Sequence, residues 1–198
     1  MKRGRLFIVS GPSGVGKSTV LKALLERRDN ARFSISATTR PIREGETDGV
    51  HYYFISVETF REWIAQEEFL EYAEYVGNFY GTPKKFVEAA LDAGQDILLD
   101  IEVQGAMQVK ERMPDAVKIF IGPPSWEELE RRLTSRGTNT PEDIRKRLDR
   151  AKVEAKTARA YDYFVVNDTV ENAVRELDAI MTAEHCRPKT RMKLLADA

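Results

Sequence analysis

Gly11-Pro12-Ser13-Gly14-Val15-Gly16-Lys17-Ser18 decides how the rest of the chain is read. A Gly, four residues, then Gly-Lys-Ser is the spacing of a phosphate-binding loop. The flanks agree with it. Leu6-Phe7-Ile8-Val9 ahead of the loop is a short apolar run, as a buried parallel strand should be. Thr19 to Glu26 behind it reads as a helix, with Val20, Leu21, Leu24 and Leu25 on one face. Strand, glycine loop and helix is the order the motif requires. Glycines let backbone N–H groups turn inward around an anion, and the helix N-terminus adds partial positive charge at the same point. Lys17 can reach the β and γ phosphates as a mobile point charge, and the Ser18 hydroxyl suits a Mg²⁺ ligand. The stretch is read as the binding site of a nucleoside triphosphate, in preference to a Gly-rich turn with an exposed lysine.

The 198 residues suffice for one α/β domain with a sizeable core. Lys plus Arg is 31 and Asp plus Glu is 32, a balance that argues against a general nucleic-acid binder while leaving room for local basic clusters. The one cysteine, Cys186, excludes an intrachain disulfide, suits a reducing cytosol and reads as a spectator thiol. No apolar run approaches membrane-spanning length, and Met1-Lys2-Arg3-Gly4 leads straight into a strand with no signal-peptide segment. The expectation is a cytoplasmic protein with no nucleic-acid or membrane partner.

Past the first helix, Arg32 to Ala37 reads as a second strand running into the polar stretch Thr38 to Glu46. There Arg40 and Arg43 sit three apart with Pro41 stiffening the backbone between them, so two guanidinium forks could clamp a second phosphate; taken alone, the stretch is a solvated charged loop. His51 to Val57 looks like a strand, and Ser56 can cap a helix carrying Phe60, Trp63 and Ile64. Phe69 to Val76 reads as a strand ending at the turn pair Gly77-Asn78. Thr82 is expected to cap a helix with Pro83 at its first position, Phe86, Val87, Ala90 and Leu91 as its stripe and Gly94 past its end. The next core strand is Asp96 to Ile101. A carboxylate at its carboxyl end, Asp100, faces the phosphate site in this fold class and can help hold Mg²⁺, directly or through its water shell.

Val117 to Ile121 is a further strand, after which Ser125 and Glu128 read as a capping box for a helix ending at Gly137. Arg131, Arg132, Arg136, Arg145, Lys146, Arg147 and Arg150 crowd this helix and the one started by Thr140 and Pro141, as a movable flap over phosphates would; without the glycine loop elsewhere they would read as a solvated helix pair. Tyr161 to Val166 is the last strand, Asn167-Asp168 a turn, and Val170 to Ala183 a helix packing Val174, Leu177 and Met181. A basic tail with Arg187, Lys189, Arg191 and Lys193 follows. The fold class is α/β: a three-layer phosphate-loop fold with a five-stranded parallel core sheet, a β-rich insert and a helical lid.

Together these pieces resemble guanylate kinases. The resemblance spans Gly11 to Asp168 and rests on the loop at 11–18, on Ser36-Ala37-Thr38-Thr39-Arg40-Pro41 with Arg43-Glu44-Gly45-Glu46, on Phe69-Leu70-Glu71-Tyr72-Ala73, on Gly77-Asn78-Phe79-Tyr80-Gly81-Thr82, and on Leu99 through Gly105. It implies ATP and GMP, with dGMP expected beside GMP, giving ADP and GDP with Mg²⁺. It implies core segments at 1–38, 85–125 and 159–198, the last with the basic tail, a GMP-binding insert at 39–84 and a lid at 126–158. Gly11, Pro12, Ser13, Gly14, Val15, Gly16, Lys17, Ser18 and Thr19 would hold ATP, with Asn167 near the adenine. Arg40, Arg43, Tyr52 and Tyr80 would hold the GMP phosphate, with Glu46 beside them. Ser36, Glu71 and Thr82 would read the guanine, with Asp100 and Glu102 on the same substrate. Lys17, Arg43, Arg136 and Arg147 would be catalytic, and Ser18 and Asp100 would serve Mg²⁺. The chain departs from the family where many members carry a second Asp, as Asp-Ile-Asp, and it has Glu102; Thr82 replaces a frequent Ser and keeps the hydroxyl.

Phosphoryl transfer needs positioning and charge neutralisation more than covalent chemistry, and the sequence offers cations with no Ser–His or Cys–His pair and no zinc cluster. Two rivals stand beside this reading: an inactive guanylate-kinase-like module that binds peptides, and a kinase of the same fold acting on another phosphorylated metabolite. Monomer and homo-oligomer both remain open.

Overall fold

The computed structural model describes residues 3–135 and 140–188. These residues form nine strands and seven α-helices. Five strands form one sheet, in the order β2 (Ala31–Phe33), β7 (Asp96–Asp100), β1 (Leu6–Ser10), β8 (Val117–Gly122), β9 (Tyr163–Val166). The pairings β2–β7, β1–β7 and β8–β9 are parallel. All five residues of β1 and all six of β8 are buried, which is why these strands read as mainly apolar runs, with Lys118 the one charged residue among them.

The chain divides into two compact units. The first comprises Met1–Val9 and Asn30–Lys118. Within it, β7 is tied at its start by Asp96, fully buried, whose carboxylate accepts from the Arg5 backbone N–H at 2.8 Å. The unit also holds a four-stranded sheet in the order β4 (Tyr53–Phe54), β3 (Ala37–Thr38), β6 (Asn78–Pro83), β5 (Phe69–Tyr75). Helix α2 (Val57–Ala65) closes an aromatic core under it: the Phe60 ring lies 4.3 Å from Phe69 and 5.3 Å from Phe79, and Trp63 lies 5.6 Å from Phe69. Ser56 caps α2 as expected, accepting from the Thr59 N–H at 3.1 Å. Helices α3 (Lys84–Asp92) and α4 (Val103–Arg112) complete the unit.

The second unit comprises Ser10–Asp29 and Ile119–Ala198. Helix α1 (Lys17–Leu25) buries Val20, Leu21 and Leu24, and α7 (Val170–His185) buries Val174, Leu177 and Met181. The two are clipped by ion pairs, Arg27 with Glu171 at 2.6 Å and Arg28 with Asp178 at 2.6 Å. Helices α5 (Trp126–Thr134) and α6 (Pro141–Thr157) pack through buried Leu129, Leu133 and Ala151, with Ile144 and Leu148 against them.

Several boundaries differ from the expectations. The strand expected over 32–37 is two strands in two sheets. The Ser34 N–H makes the last bond toward β7, to Leu98 O at 3.0 Å, and the chain then joins β6 from Ala37 onward. The strand expected over 51–57 shrinks to Tyr53–Phe54, because 47–51 is a turn in which the Thr47 N–H donates to His51 Nδ1 at 3.0 Å. The hairpin turn is Val76-Gly77, with φ of 49° and 72°, one residue earlier than expected, so Asn78 already pairs with Tyr75 in the sheet. Thr82 and Pro83 end β6 and Pro83 is the cap residue of α3; the Thr82 hydroxyl is spent on Glu71 instead. Phe86 is 39% exposed, its ring stacked on Tyr53 at 4.3 Å. Only half of the box at Ser125 forms: its hydroxyl accepts from the Glu128 N–H at 3.1 Å, while the Glu128 carboxylate goes to arginines. The full box is at Thr140, reciprocated by Asp143. The last strand starts at Tyr163, two residues late.

Candidate phosphate and base sites

In the second unit the glycine loop joins β1 to α1. Gly14 and Gly16 have φ of 91° and 90°, the left-handed region that side chains avoid. A Cβ on Gly14 would stand 2.6 Å from Leu133, and one on Gly16 would stand 2.7 Å from Asn167 Nδ2. Gly16 caps α1 with no side-chain bond, so no side chain covers the positive end of that helix. Val15 is buried and its carbonyl accepts from Asn167 Nδ2 at 2.7 Å and from Arg132 Nη1 at 3.2 Å. These two donors hold the loop from behind. Ser13, Ser18 and Thr19 are exposed, Gly11 and Lys17 half-buried, and Pro12 buried.

Asn167 is 3% exposed, and its amide reaches the loop backbone. Arg132 is oriented by Glu128 at 2.8 Å and also donates to Asp168 O at 3.3 Å. The Arg131 and Arg132 guanidiniums hold the Glu128 carboxyl far below the usual range, at about 2. The sequence placed Arg132 only within a crowd of arginines; nothing local marks it as the partner of a loop carbonyl 117 positions away. Arg147 is exposed on α6, and Arg136 lies outside the described residues.

The first unit assembles two further groups. Arg40 donates to Glu46 through Nη1 at 3.0 Å and Nη2 at 2.7 Å, and to Pro41 O at 2.7 Å. Its guanidinium carbon stands 5.5 Å from the Tyr52 ring centre and 5.6 Å from Phe54. Tyr80 stands near enough to help hold its charge, and the Tyr80 ring meets Tyr52 edge-on at 6.1 Å. Glu46 also accepts from the Arg43 N–H at 2.8 Å. The Arg40 bonds come first, and then the Arg43 backbone bond, in holding Glu46 down at about 2. Arg40, Arg43, Glu46, Tyr52 and Tyr80 are thus brought together. Glu46 holds the Arg40 guanidinium and the Arg43 backbone, and its like charge would repel a phosphate placed directly against it.

Glu71, on β5, is half-buried, and its Oε1 accepts from the Thr82 hydroxyl at 2.6 Å. Burial pushes its carboxyl above the usual range, with Thr82 and the Arg112 charge pulling the other way. Helix α4 leaves room beside it: a Cβ on Gly105 would stand 3.3 Å from Glu71 Oε2. The pair Glu71–Thr82 offers a carboxylate and a hydroxyl to a planar partner with adjacent donors. Ser36 is half-buried just before β3. Asp100, at the carboxyl end of β7, and Glu102, the cap residue of α4, are exposed. Among the described residues no cluster of three or more His, Cys, Asp or Glu side chains could hold a metal, and no helix is long and apolar enough to cross a membrane.

Comparison with known proteins accords with this geometry. The guanylate kinase family model matches residues 3–184. A guanylate kinase of Halalkalibacterium halodurans is 53% identical over 186 residues, covering 94% of this chain and 91% of its own. One from Thermus thermophilus is 56% identical over 185 residues, covering 93% of this chain and 84% of its own. Among solved structures, the guanylate kinase of Anaplasma phagocytophilum superposes with a TM-score of 0.73 at 37% identity, covering 99% of this chain and 94% of its own.

Proposed function

This chain belongs to the guanylate kinase family, and we propose that it moves the γ-phosphoryl of ATP to GMP, and also to dGMP, giving ADP and the nucleoside diphosphate. A GMP phosphate oxygen attacks the γ-phosphorus of ATP, and the bond from that phosphorus to the bridging oxygen breaks, leaving ADP. The protein contributes position and charge.

The donor half rests on the glycine loop. Its backbone N–H groups and Lys17 receive the ATP phosphates, and Asn167 and Arg132 keep the Val15 peptide from turning away. Arg147 and Arg136 are the lid cations assigned to the transferring group. The acceptor half rests on the arginine cage, where Glu46 fixes Arg40 so that its remaining edge and Arg43 meet the GMP phosphate. Tyr52 and Tyr80 give that phosphate hydroxyl donors. Ser36, Glu71 and Thr82 take the base, with Glu102 near it.

Mg²⁺ fits the donor chemistry, because Ser18 and Asp100 present exposed hard oxygens and this ion keeps most of its shell as water and phosphate. It would neutralise charge on the phosphates. A cytosolic setting suits the free thiol of Cys186.

The observation that carries the reading is the Glu71 carboxylate, half-buried and fixed by Thr82, in the same chain as an intact phosphate loop. A buried carboxylate costs free energy to keep and has no use for a plain sugar phosphate, whereas guanine offers it the N1 hydrogen and the 2-amino group. A peptide-binding module would have no need of the buttressed loop. The test is ADP release with ATP and each of GMP, dGMP, AMP and a ribose bisphosphate. GMP and dGMP should turn over and the others should not; an absence of turnover with GMP sinks the proposal.

A further inference from the structure

Outside the sites above, the second unit has one group of cations with different surroundings. Four of the cations on α5 and α6 are paired within their own helix: Lys146 with Glu142, Arg150 with Glu154, and Arg131 and Arg132 with Glu128. Lys152, Lys156 and Arg159 are not. They recur at i, i+4 and i+7 along the end of α6 and the 3-10 turn Ala158–Ala160, which sets them on one face. Among the described residues Lys156 and Arg159 make no ion pair, and the Lys152 charge acts on the exposed Glu127 carboxyl. The three line a groove of about 650 Å³ together with Ala155 and Trp126, the first residue of α5. Trp126 is 37% exposed.

We propose that this groove is a second nucleotide site, taking the base of a purine nucleotide against Trp126 and its phosphates among Lys152, Lys156 and Arg159. The groove falls within the ordinary range for small-molecule sites. Its one wide apolar surface is an indole, which suits a flat π-face, as the aromatic platforms of single-strand binders do. Its charges are three cations in a chain whose net charge is −1, so they do not express a general basic bias. A nucleotide joins a plane to a polyanion in one small molecule. An acidic protein segment supplies the charge without the plane.

The test uses Trp63→Phe protein, in which Trp126 is the remaining tryptophan of two. GTP and ATP are titrated against its fluorescence, with guanosine and inorganic tripolyphosphate in parallel. The expected result is saturable quenching by the nucleotides with a dissociation constant of about 1 mM or tighter, weakened by added salt. Guanosine should not bind measurably, and tripolyphosphate should compete weakly without quenching. Lys156→Glu with Arg159→Glu should weaken nucleotide binding at least about tenfold and leave phosphoryl transfer to GMP at the wild-type rate. Lys17→Ala should abolish transfer and keep the quenching. Quenching that disappears with Lys17→Ala, or survives the charge reversal, overturns the proposal. So does tripolyphosphate binding as tightly as GTP, which would mark a plain anion patch, or an absence of saturable quenching. A melting curve for each variant establishes that it is folded.

Discussion

Replacing Glu71 by Gln changes one atom at the base site and leaves its shape intact. Oε1 accepts from Thr82 at 2.6 Å, so the amide oxygen of Gln would keep that place and the NH₂ would stand where Oε2 stood. A guanine donor that met an acceptor would then meet a donor. The loss is one hydrogen bond to a charged group plus a donor left unpaired in a half-buried site, together about 3 kcal/mol. That is roughly 150-fold in kcat/KM for GMP. AMP, whose N1 is an acceptor, loses nothing and can accept from the new NH₂. The assay is coupled ADP release with each acceptor at saturating ATP. The GMP-to-AMP ratio should fall at least about tenfold, with the KM for ATP unchanged. Stability moves the other way. The folded Glu71 carboxyl has a raised pKa, so the folded chain binds that proton more readily than the unfolded one. Its charge therefore costs stability above the folded pKa, and the cost vanishes as pH falls through it. Glu71→Gln should melt at neutral pH no lower than the wild type. An unchanged acceptor ratio refutes the reasoning and moves the base reader to Glu102.

Lys17→Ala should abolish measurable transfer with a wild-type melting curve, since charge stabilisation in such a site is worth several kcal/mol; near-normal turnover would remove the loop from the reaction. Glu46→Gln should raise the KM for GMP at least about tenfold and leave the KM for ATP alone, because it frees Arg40 without touching the glycine loop; equal shifts for both substrates would count against it. Asn167→Ala takes a buried donor from the Val15 carbonyl at a cost of about 1–3 kcal/mol, to be read as a lower melting temperature and a higher KM for ATP. The KM for GMP should climb as pH falls through the raised pKa of Glu71, and Thr82→Val should shift that climb to higher pH, since the Thr82 bond lowers that pKa; a pH profile identical in the variant argues that Glu71 is not the titrating group.

The glycine loop, the buried strands on either side of it and the two helices it needs could all be read from the sequence, because each leaves a local mark. The seven residues of β5 and the stripe of α7 were as plain. Strand sharing was not. Residues 32–37 are apolar enough for one strand, and nothing in them tells that the chain changes sheets at Ser34; the answer lies in Leu98 and Gly81, far along the chain. Thr82 before Pro83 looks like a helix start, and only the carboxylate 11 positions earlier explains why its hydroxyl turns elsewhere. Cap preferences are local and lose to a buried charge. Glu128 shows the same competition, taken by two arginines from the cap it would have closed. The roles of Arg132 and Asn167 behind the loop escape sequence reasoning altogether, since the backbone oxygen they serve carries no residue code.

The hairpin tip at Val76 bears on how this protein could be modified. Val76 is 79% exposed and sits with φ at 49°, where a β-branched residue is disfavoured by about 1–2 kcal/mol. It packs on little, so that cost is not offset by contacts. Asn at this position, ahead of Gly77, would give the turn its preferred pair and firm up the whole β5–β6 ribbon, including Glu71 and Thr82 near its far end. The tip is accordingly where a thermostable version of the enzyme could be started by one codon.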